Sequence, residues 1–306
     1  MRLQEPLRRR WWLFLSLLAA FGAAPAAGRG AEATEEKTQF IRIRRDDLKK
    51  PLALETAIVR YAPAPGTKGA TVDLIGAVHV GEKSYYEALN KAFEDYDVVL
   101  YELVAREGTR IPKGAKAGNN PIGLIQNGMK NMLSLEHQLE YVDYTKENLV
   151  HADMSPEQVA KSMENRGESF WTMFAKLMSQ GMAQQAKAQE QGKSFEFDLL
   201  IALFDPDRAM ALKRLMAEQF ENLESSMQAF NGPEGSTIIT ERNKVAMEVL
   251  TKQMTAGKQK IAIFYGAGHM PDMESRLIAD FHLQRGEQRW LGAWNLAERA
   301  KVATSP

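Results

Sequence analysis

Leu54 to Ala62 alternates weakly between apolar and polar positions and predicts a strand. The cluster Pro63-Ala64-Pro65-Gly66 marks a turn, and Thr71 to Gly76 predicts a returning strand, so the fold opens on a hairpin. Tyr85, Ala88, Leu89, Ala92, Phe93 and Tyr96 then recur at helical spacing. Asp97 to Leu103 follows as a nearly continuous apolar run, the pattern of a strand buried on both faces. Strand, helix and strand in that order predict a right-handed βαβ unit with parallel strands.

From about Pro121 to Gln253 the pattern turns mostly helical. Ser155-Pro156-Glu157-Gln158 marks one helix start, with a capping serine, proline at the first helical position and a glutamine that completes a capping box. Apolar stripes follow at Phe170, Phe174, Leu177 and Met178, and at Leu212, Met216, Phe220, Leu223, Met227 and Phe230. They read as core, or as a methionine-lined groove for a peptide. The end returns to α/β character, with a strand over Lys260–Tyr265, a helix over Pro271–Phe281 and an apolar stretch over Gln288–Leu296 fit for a strand. Gly76-Ala77-Val78-His79 and Gly266-Ala267-Gly268-His269 each follow a strand and precede a helix and a strand. The expected fold is therefore α/β: two βαβ units carrying Gly-x-x-His motifs form a central sheet and flank a mostly helical insertion.

The amino terminus has the three parts of a secretory signal: Arg8, Arg9 and Arg10, the apolar run Trp11 to Ala20, and Ala24-Pro25-Ala26 as a cleavage signature. Cleavage after Ala26 is expected, giving an exported protein, periplasmic or extracellular. The alternative is an uncleaved anchor, against which the apolar run falls short of the roughly 20 residues of a bilayer span. Residues 27–39 read as a flexible leader, and 40–300 as a single domain with its insertion at about 121–253. The chain balances 39 basic against 39 acidic residues. Its signal segment holds Arg2, Arg8, Arg9 and Arg10 against Glu5, a net of +3, which leaves a mature chain near −3. Such a surface gives no electrostatic reason to expect nucleic acid or an anionic membrane as partner. The absence of cysteine excludes disulfides, thiolate zinc sites and lipid attachment at a cysteine.

Ligands of open α/β sheets bind outside the carboxyl ends of the strands, where His79 and His269 are expected. Two of five histidines sharing one Gly-Ala-x-His context favour a shared role over separate structural ones. Glu102 ends a strand expected to run parallel to the one delivering His79, as a metal ligand, a general base or the group that orients a histidine. At 100° per residue Ile238, Ile239, Val245, Ala246, Val249 and Leu250 form one helix face with Arg242 near its centre, while Glu241 and Asn243 sit on the flanks. A guanidinium buried there needs a carboxylate, and Glu102 is the expected partner; the plainer reading is an arginine snorkelling from a thinly covered helix. His151 and Asp153 form a His-x-Asp pair before the capped helix, whereas His137 and His282 read as structural or surface residues.

The two Gly-x-x-His motifs, the strand Val98-Val99-Leu100-Tyr101-Glu102 and Glu241-Arg242-Asn243 together resemble the TraB/TIKI/GumN family, over about Ala70 to Leu277. That family is similar in turn to erythromycin esterases and the haem-binding ChaN proteins. The resemblance implies an α/β core with both histidines and the glutamate in one cleft, and for TIKI members a metal-dependent peptidase activity. Residues and resemblance together lead to an exported metal-dependent hydrolase, peptidase-like, acting on a peptide or small-molecule substrate. His79, Glu102 and His269 are expected to hold a divalent manganese, cobalt or zinc ion, and Arg242 and Asn243 to hold the glutamate or polarise a carbonyl. The alternatives are a metal-free, esterase-like hydrolase with His79 as general base, and a non-catalytic module that binds haem, a peptide or another small ligand.

Overall fold

The computed structural model describes residues 38–109, 111, 112, 114, 133, 135–169, 172, 175, 179, 195–221, 227 and 231–297. The signal segment, the leader up to residue 37, the stripe at Phe170, Phe174, Leu177 and Met178, and also Leu223 and Phe230, lie outside the described residues. Thr38 is already buried, and its hydroxyl donates to Glu274 Oε1 at 2.6 Å.

Nine strands are described: β1 (Ile41–Arg45), β2 (Pro51–Ala62), β3 (Thr71–Ala77), β4 (Val80–Gly81), β5 (Val98–Tyr101), β6 (Glu136–His137), β7 (Leu149–His151), β8 (Lys260–Gly266) and β9 (Gln284–Asn295). Seven α-helices accompany them among the described residues: α1 (Lys83–Ala92), α2 (Gln138–Tyr141), α3 (Pro156–Asn165), α4 (Phe195–Phe204), α5 (Arg208–Glu221), α6 (Arg242–Thr255) and α7 (Met270–Ala279). The main sheet is mixed. β3, β8, β5 and β7 lie side by side and parallel, while β2 pairs antiparallel with β1, β3 and β9. β9 follows almost the whole of β2, whereas β1 takes its first half and β3 its second, so β1 and β3 share one edge of β2 and β9 has the other.

The hairpin of β2 and β3 forms where the turn residues predict it, with Gly66 at φ 83 in the left-handed region that glycine enters freely. The two βαβ units do not form as adjacent strand pairs. β3 and β5 are parallel, but β8 lies between them, arriving from the far end of the chain. After β8 and α7, β9 runs antiparallel beside β2, because both edges of β8 are already occupied by β3 and β5. The repeated Gly-Ala-x-His context thus marks two equivalent strand ends rather than two equivalent units. The stretch expected to be helical also contributes β7 to the main sheet, three residues that are too few to show a period.

Both faces of the sheet are covered. In β5, Val99 and Tyr101 join one buried cluster with Tyr85, Leu89, Leu212 and Trp294, and Val98 and Leu100 join another with Leu250, Met273 and Leu277. Alternate side chains therefore meet α1 and α5 on one side and α6 and α7 on the other, which is why the strand reads as a continuous apolar run. Of the methionine-rich stripe, Leu212 is buried, Met216 and Phe220 pack against the first cluster, and the Phe220 ring stands edge-on to Trp294 at 5.2 Å. Among the described residues no helix is long and apolar enough to cross a membrane.

The capping box at the start of α3 is complete: Gln158 N donates to Ser155 Oγ at 3.2 Å, and Ser155 N donates to Gln158 Oε1 at 2.7 Å. Ser155→Ala removes the acceptor for an orphan amide and is expected to lower the free energy of unfolding by about 1 kcal/mol in urea titrations.

Candidate functional site

The four parallel strands end at one edge of the sheet, and each releases a polar side chain just past its last residue: His79 after β3, His269 after β8, Glu102 after β5 and Asp153 after β7. Arg242 reaches the same edge from the start of α6.

Arg242 is buried and fully engaged. Its Nε and Nη2 donate to the two oxygens of Asp153 at 2.9 and 2.6 Å, and Nη2 also donates to Glu102 Oε1 at 2.6 Å. Glu102 is thus the partner expected for Arg242, but Asp153 holds the two-pronged contact. Asp153 has no exposed side-chain area, and its Oδ1 also accepts from Met154 N at 2.7 Å. The His-x-Asp pair before α3 divides its labour. His151 Nε2 meets the Leu103 carbonyl at 2.6 Å, so it donates and serves the strand ends, while Asp153 belongs to the ion cluster. Sequence reasoning passed over Asp153 as the partner of Arg242, although its place just beyond a strand was a usable signal.

A turn of π-helix, Thr237–Glu241, closed by Glu241 N donating to Ser236 O at 3.1 Å, leads into α6. The buried stripe is Ile239, Arg242, Asn243, Ala246, Met247 and Leu250. Arg242 is buried as expected, but the buried face of α6 is turned toward Asn243 and Met247, which puts Arg242 at its edge rather than its centre and leaves Val245 and Val249 half-buried. Asn243 accordingly moves from the flank to full burial. It does not touch Glu102. Its Nδ2 donates to Asp272 Oδ2 at 2.8 Å and to the His269 carbonyl at 3.2 Å, and its Oδ1 lies 2.7 Å from His269 Nδ1.

Gly266 is the point where the groups meet. Its N–H donates to Glu102 Oε2 at 2.7 Å. A Cβ there would stand 3.3 Å from Glu102 Oε2, 3.7 Å from His79 Nε2 and 3.8 Å from His269 Cδ2, so only glycine leaves the space between them open. His269 Nε2 lies 3.6 Å from Glu102 Oε1. His79 is exposed and His269 buried, so the cluster is wet on one side and dry on the other. His79 is held by the small sheet of β4 and β6, which brings Gln138 against it. Gln138 N donates to the His79 carbonyl at 3.0 Å, and Gln138 Oε1 lies 3.2 Å from His79 Nδ1. His137, in β6, is buried opposite Val80, and His282 is exposed in a turn at φ 54; both stand outside the cluster.

Burial opposes the charge of Glu102, yet the fields of His269, Arg242 and His79 and the Gly266 N–H hold its carboxyl well below the usual carboxylate range. Burial pushes His269 down to about 4, more than the pull of Glu102 can recover, with Arg242 adding to the effect. His269 is therefore neutral at neutral pH, where Arg242 and the Gly266 N–H keep Glu102 ionised. The guanidinium itself is stabilised: burial disfavours its charge, but Glu102 and Asp153 raise it above its ordinary value. Among the described residues no three histidine, aspartate or glutamate side chains are already gathered as a ready-made metal site. No protein-family model, curated protein or solved structure matches this chain.

Arg242→Ala leaves two buried carboxylates facing each other without a cation and is expected to cost about 3–5 kcal/mol of stability in denaturant titrations. Arg242→Lys should recover only part, since an ammonium cannot reproduce the fork on Asp153. Stability should also depend on pH through His269. Its pKa is about 4 folded, against about 6.5 unfolded. The unfolded chain takes up the proton first, so this contribution is complete above about pH 6.5 and is lost as pH falls toward 4. The slope should reach at most about 1.4 kcal/mol per pH unit, and His269→Gln should flatten it.

Proposed function

We propose that this cleft is the centre of a metal-dependent hydrolase, with His79, Glu102 and His269 as the groups that take a divalent manganese, cobalt or zinc ion and a peptide or small molecule as substrate. The observation that carries this reading is the setting of the two imidazoles. Each has Nδ1 against an amide oxygen, Gln138 Oε1 or Asn243 Oδ1, while His79 Nε2 lies beside Gly266 with Glu102 Oε2 and His269 Nε2 lies 3.6 Å from Glu102 Oε1. A histidine that binds a metal through one nitrogen characteristically donates the N–H of the other to an oxygen acceptor. Charge agrees: Asp153 offsets Arg242, so the negative charge of Glu102 is left over for a cation. Two neutral nitrogens and a carboxylate form a donor set suited to these metals. A bound ion would supply an activated water at neutral pH.

The protein's own groups would divide the remaining work. Arg242 and the Gly266 N–H fix the Glu102 carboxylate, Asn243 orients His269, and the exposed His79 faces the side from which substrate and water arrive. The likeness to the TraB/TIKI/GumN motifs supports the same assignment, and the amino-terminal pattern supports export to a periplasmic or extracellular site. A second reading uses the same groups without an ion. In that reading His79 is general base to a water, and Glu102 with Arg242 sets its field.

Calorimetry of the mature protein with manganese, cobalt and zinc, together with elemental analysis, tests the choice. One ion per chain is expected, with His79→Ala, Glu102→Gln and His269→Ala each losing most of the affinity while remaining folded. Hydrolysis of a peptide library that persists in chelator, with no ion bound by the parent, would overturn the metal reading in favour of His79 as base.

A further inference from the structure

Asp272 lies in the first turn of α7, where an acidic side chain suits the helix dipole and can pair with Arg276 one turn on; Arg276 Nε donates to its Oδ2 at 2.7 Å. Its contact with Asn243 does something that helix stability does not require. An amide side chain has nearly the same shape either way round, so its orientation is set by what its two ends meet. The nitrogen end of Asn243 meets Asp272 Oδ2 at 2.8 Å and the His269 carbonyl at 3.2 Å, and both only accept. The oxygen end must then face His269 Nδ1, which lies 2.7 Å away. An amide oxygen cannot donate, so Nδ1 carries the proton and the lone pair sits on Nε2, 3.6 Å from Glu102.

His79 has the same kind of clamp with a different anchor. The nitrogen end of Gln138 rests on the Tyr144 hydroxyl at 2.7 Å, and a hydroxyl both donates and accepts. If Gln138 turns over, Tyr144 can donate to Oε1 and Nε2 can donate to His79 Nδ1, so every partner is kept. The His79 clamp therefore serves either tautomer, and the His269 clamp serves one.

We propose that Asp272 is a positioning residue that locks His269, through Asn243, with its proton on Nδ1, making His269 the fixed electron-pair donor of the cleft and leaving His79 as the imidazole able to exchange its proton between nitrogens. The consequence for catalysis rests on the hydrolase reading above; the lock itself does not.

Long-range nitrogen–proton correlation spectra of the ¹⁵N-labelled protein report on which ring nitrogen of each histidine is protonated. In the parent, His269 should show a protonated Nδ1 and a bare Nε2. In Asp272→Ala, and in Asp272→Ser as a second variant better tolerated in a first helical turn, the nitrogen end of Asn243 keeps only the longer contact to the His269 carbonyl at 3.2 Å, and the two His269 nitrogens should move part of the way toward each other as the second tautomer becomes populated. His79 should not change. Asp272→Asn should restore most of the parent pattern, because Asn243 Nδ2 and Arg276 Nε both donate to Oδ2, which an amide oxygen can replace, at the loss of the longer Arg276 Nη2 contact to Oδ1 at 3.3 Å. Arg276→Ala loses the helix pair but keeps the acceptor, so its spectrum should match the parent. Zinc affinity should fall about 10–100-fold in Asp272→Ala. A His269 pattern in both Asp272→Ala and Asp272→Ser identical to the parent would overturn the proposal, as would an equal change in Arg276→Ala. A tautomer change in protein that binds no metal would uphold the lock and remove only the metal reading.

Discussion

A guanidinium taken out of water has to be given partners, and that requirement organises this structure more than any other single contact. Arg242 draws together the end of β5 through Glu102, the turn after β7 through Asp153, and the start of α6 on which it sits. These segments are far apart in sequence, and no apolar contact specifies their relative position to a fraction of an ångström. Two carboxylates around one fork do, because the hydrogen bonds are directional and an unpaired member would be costly to leave buried. The carboxyl edge of the sheet is consequently stiff at the position where Glu102 must be presented. The neighbouring Tyr265 adds to this by donating its hydroxyl to the Ala152 carbonyl and setting its ring edge-on to His269 at 5.2 Å.

Much of this was legible in the sequence because it follows from period and punctuation. The hairpin over β2 and β3, the buried strand β5, the capping box of α3 and the strand β8 all announce themselves in runs of a few residues. The burial of Arg242 was legible for the same reason, since a charge in the middle of an apolar face stands out. What was not legible is pairing over distance. That β8 enters between β3 and β5, and that β9 returns to β2, depends on which sheet edges remain free when those strands arrive. A local pattern carries no trace of that. Asp153 was passed over because it follows a strand too short to show a period, and Asn243 was set on the flank because Ile238, Val245 and Val249, which are only half-buried, were counted as part of the core face.

The charges of the cleft form a consistent set. Asp153 offsets Arg242, and Glu102 remains as one negative charge beside two imidazoles. His269 is kept neutral by burial, so it adds a lone pair and no repulsion toward a cation. His79, exposed and outside the dry half of the cluster, meets solvent directly. The environment differs across a few ångströms because α6 and α7 bury His269 on one side of the sheet edge, whereas His79 on the other is exposed. Met227, from the helical stretch, comes close to Gly268, so that a Cβ at that glycine would stand 2.9 Å from Met227 Cγ; this side chain adds cover on the buried side.

The two Gly-Ala-x-His motifs look alike in sequence and sit at equivalent strand ends, yet the chain after each one differs, and the difference in chemistry follows from that. After His79 the chain enters β4, whose short pairing with β6 brings an uncharged amide backed by a phenol. His269 instead closes a 3-10 turn, Ala267–His269, and the chain runs directly into α7, whose first turn supplies a carboxylate to the amide behind it. A hydroxyl leaves the orientation of its amide open and a carboxylate decides it. Equivalent positions on the sheet thus become unequal imidazoles, one whose lone pair is fixed and buried and one whose proton is free to move at the solvent edge. In the hydrolase reading proposed above, the first would hold a reacting centre steady and the second would carry a proton between steps.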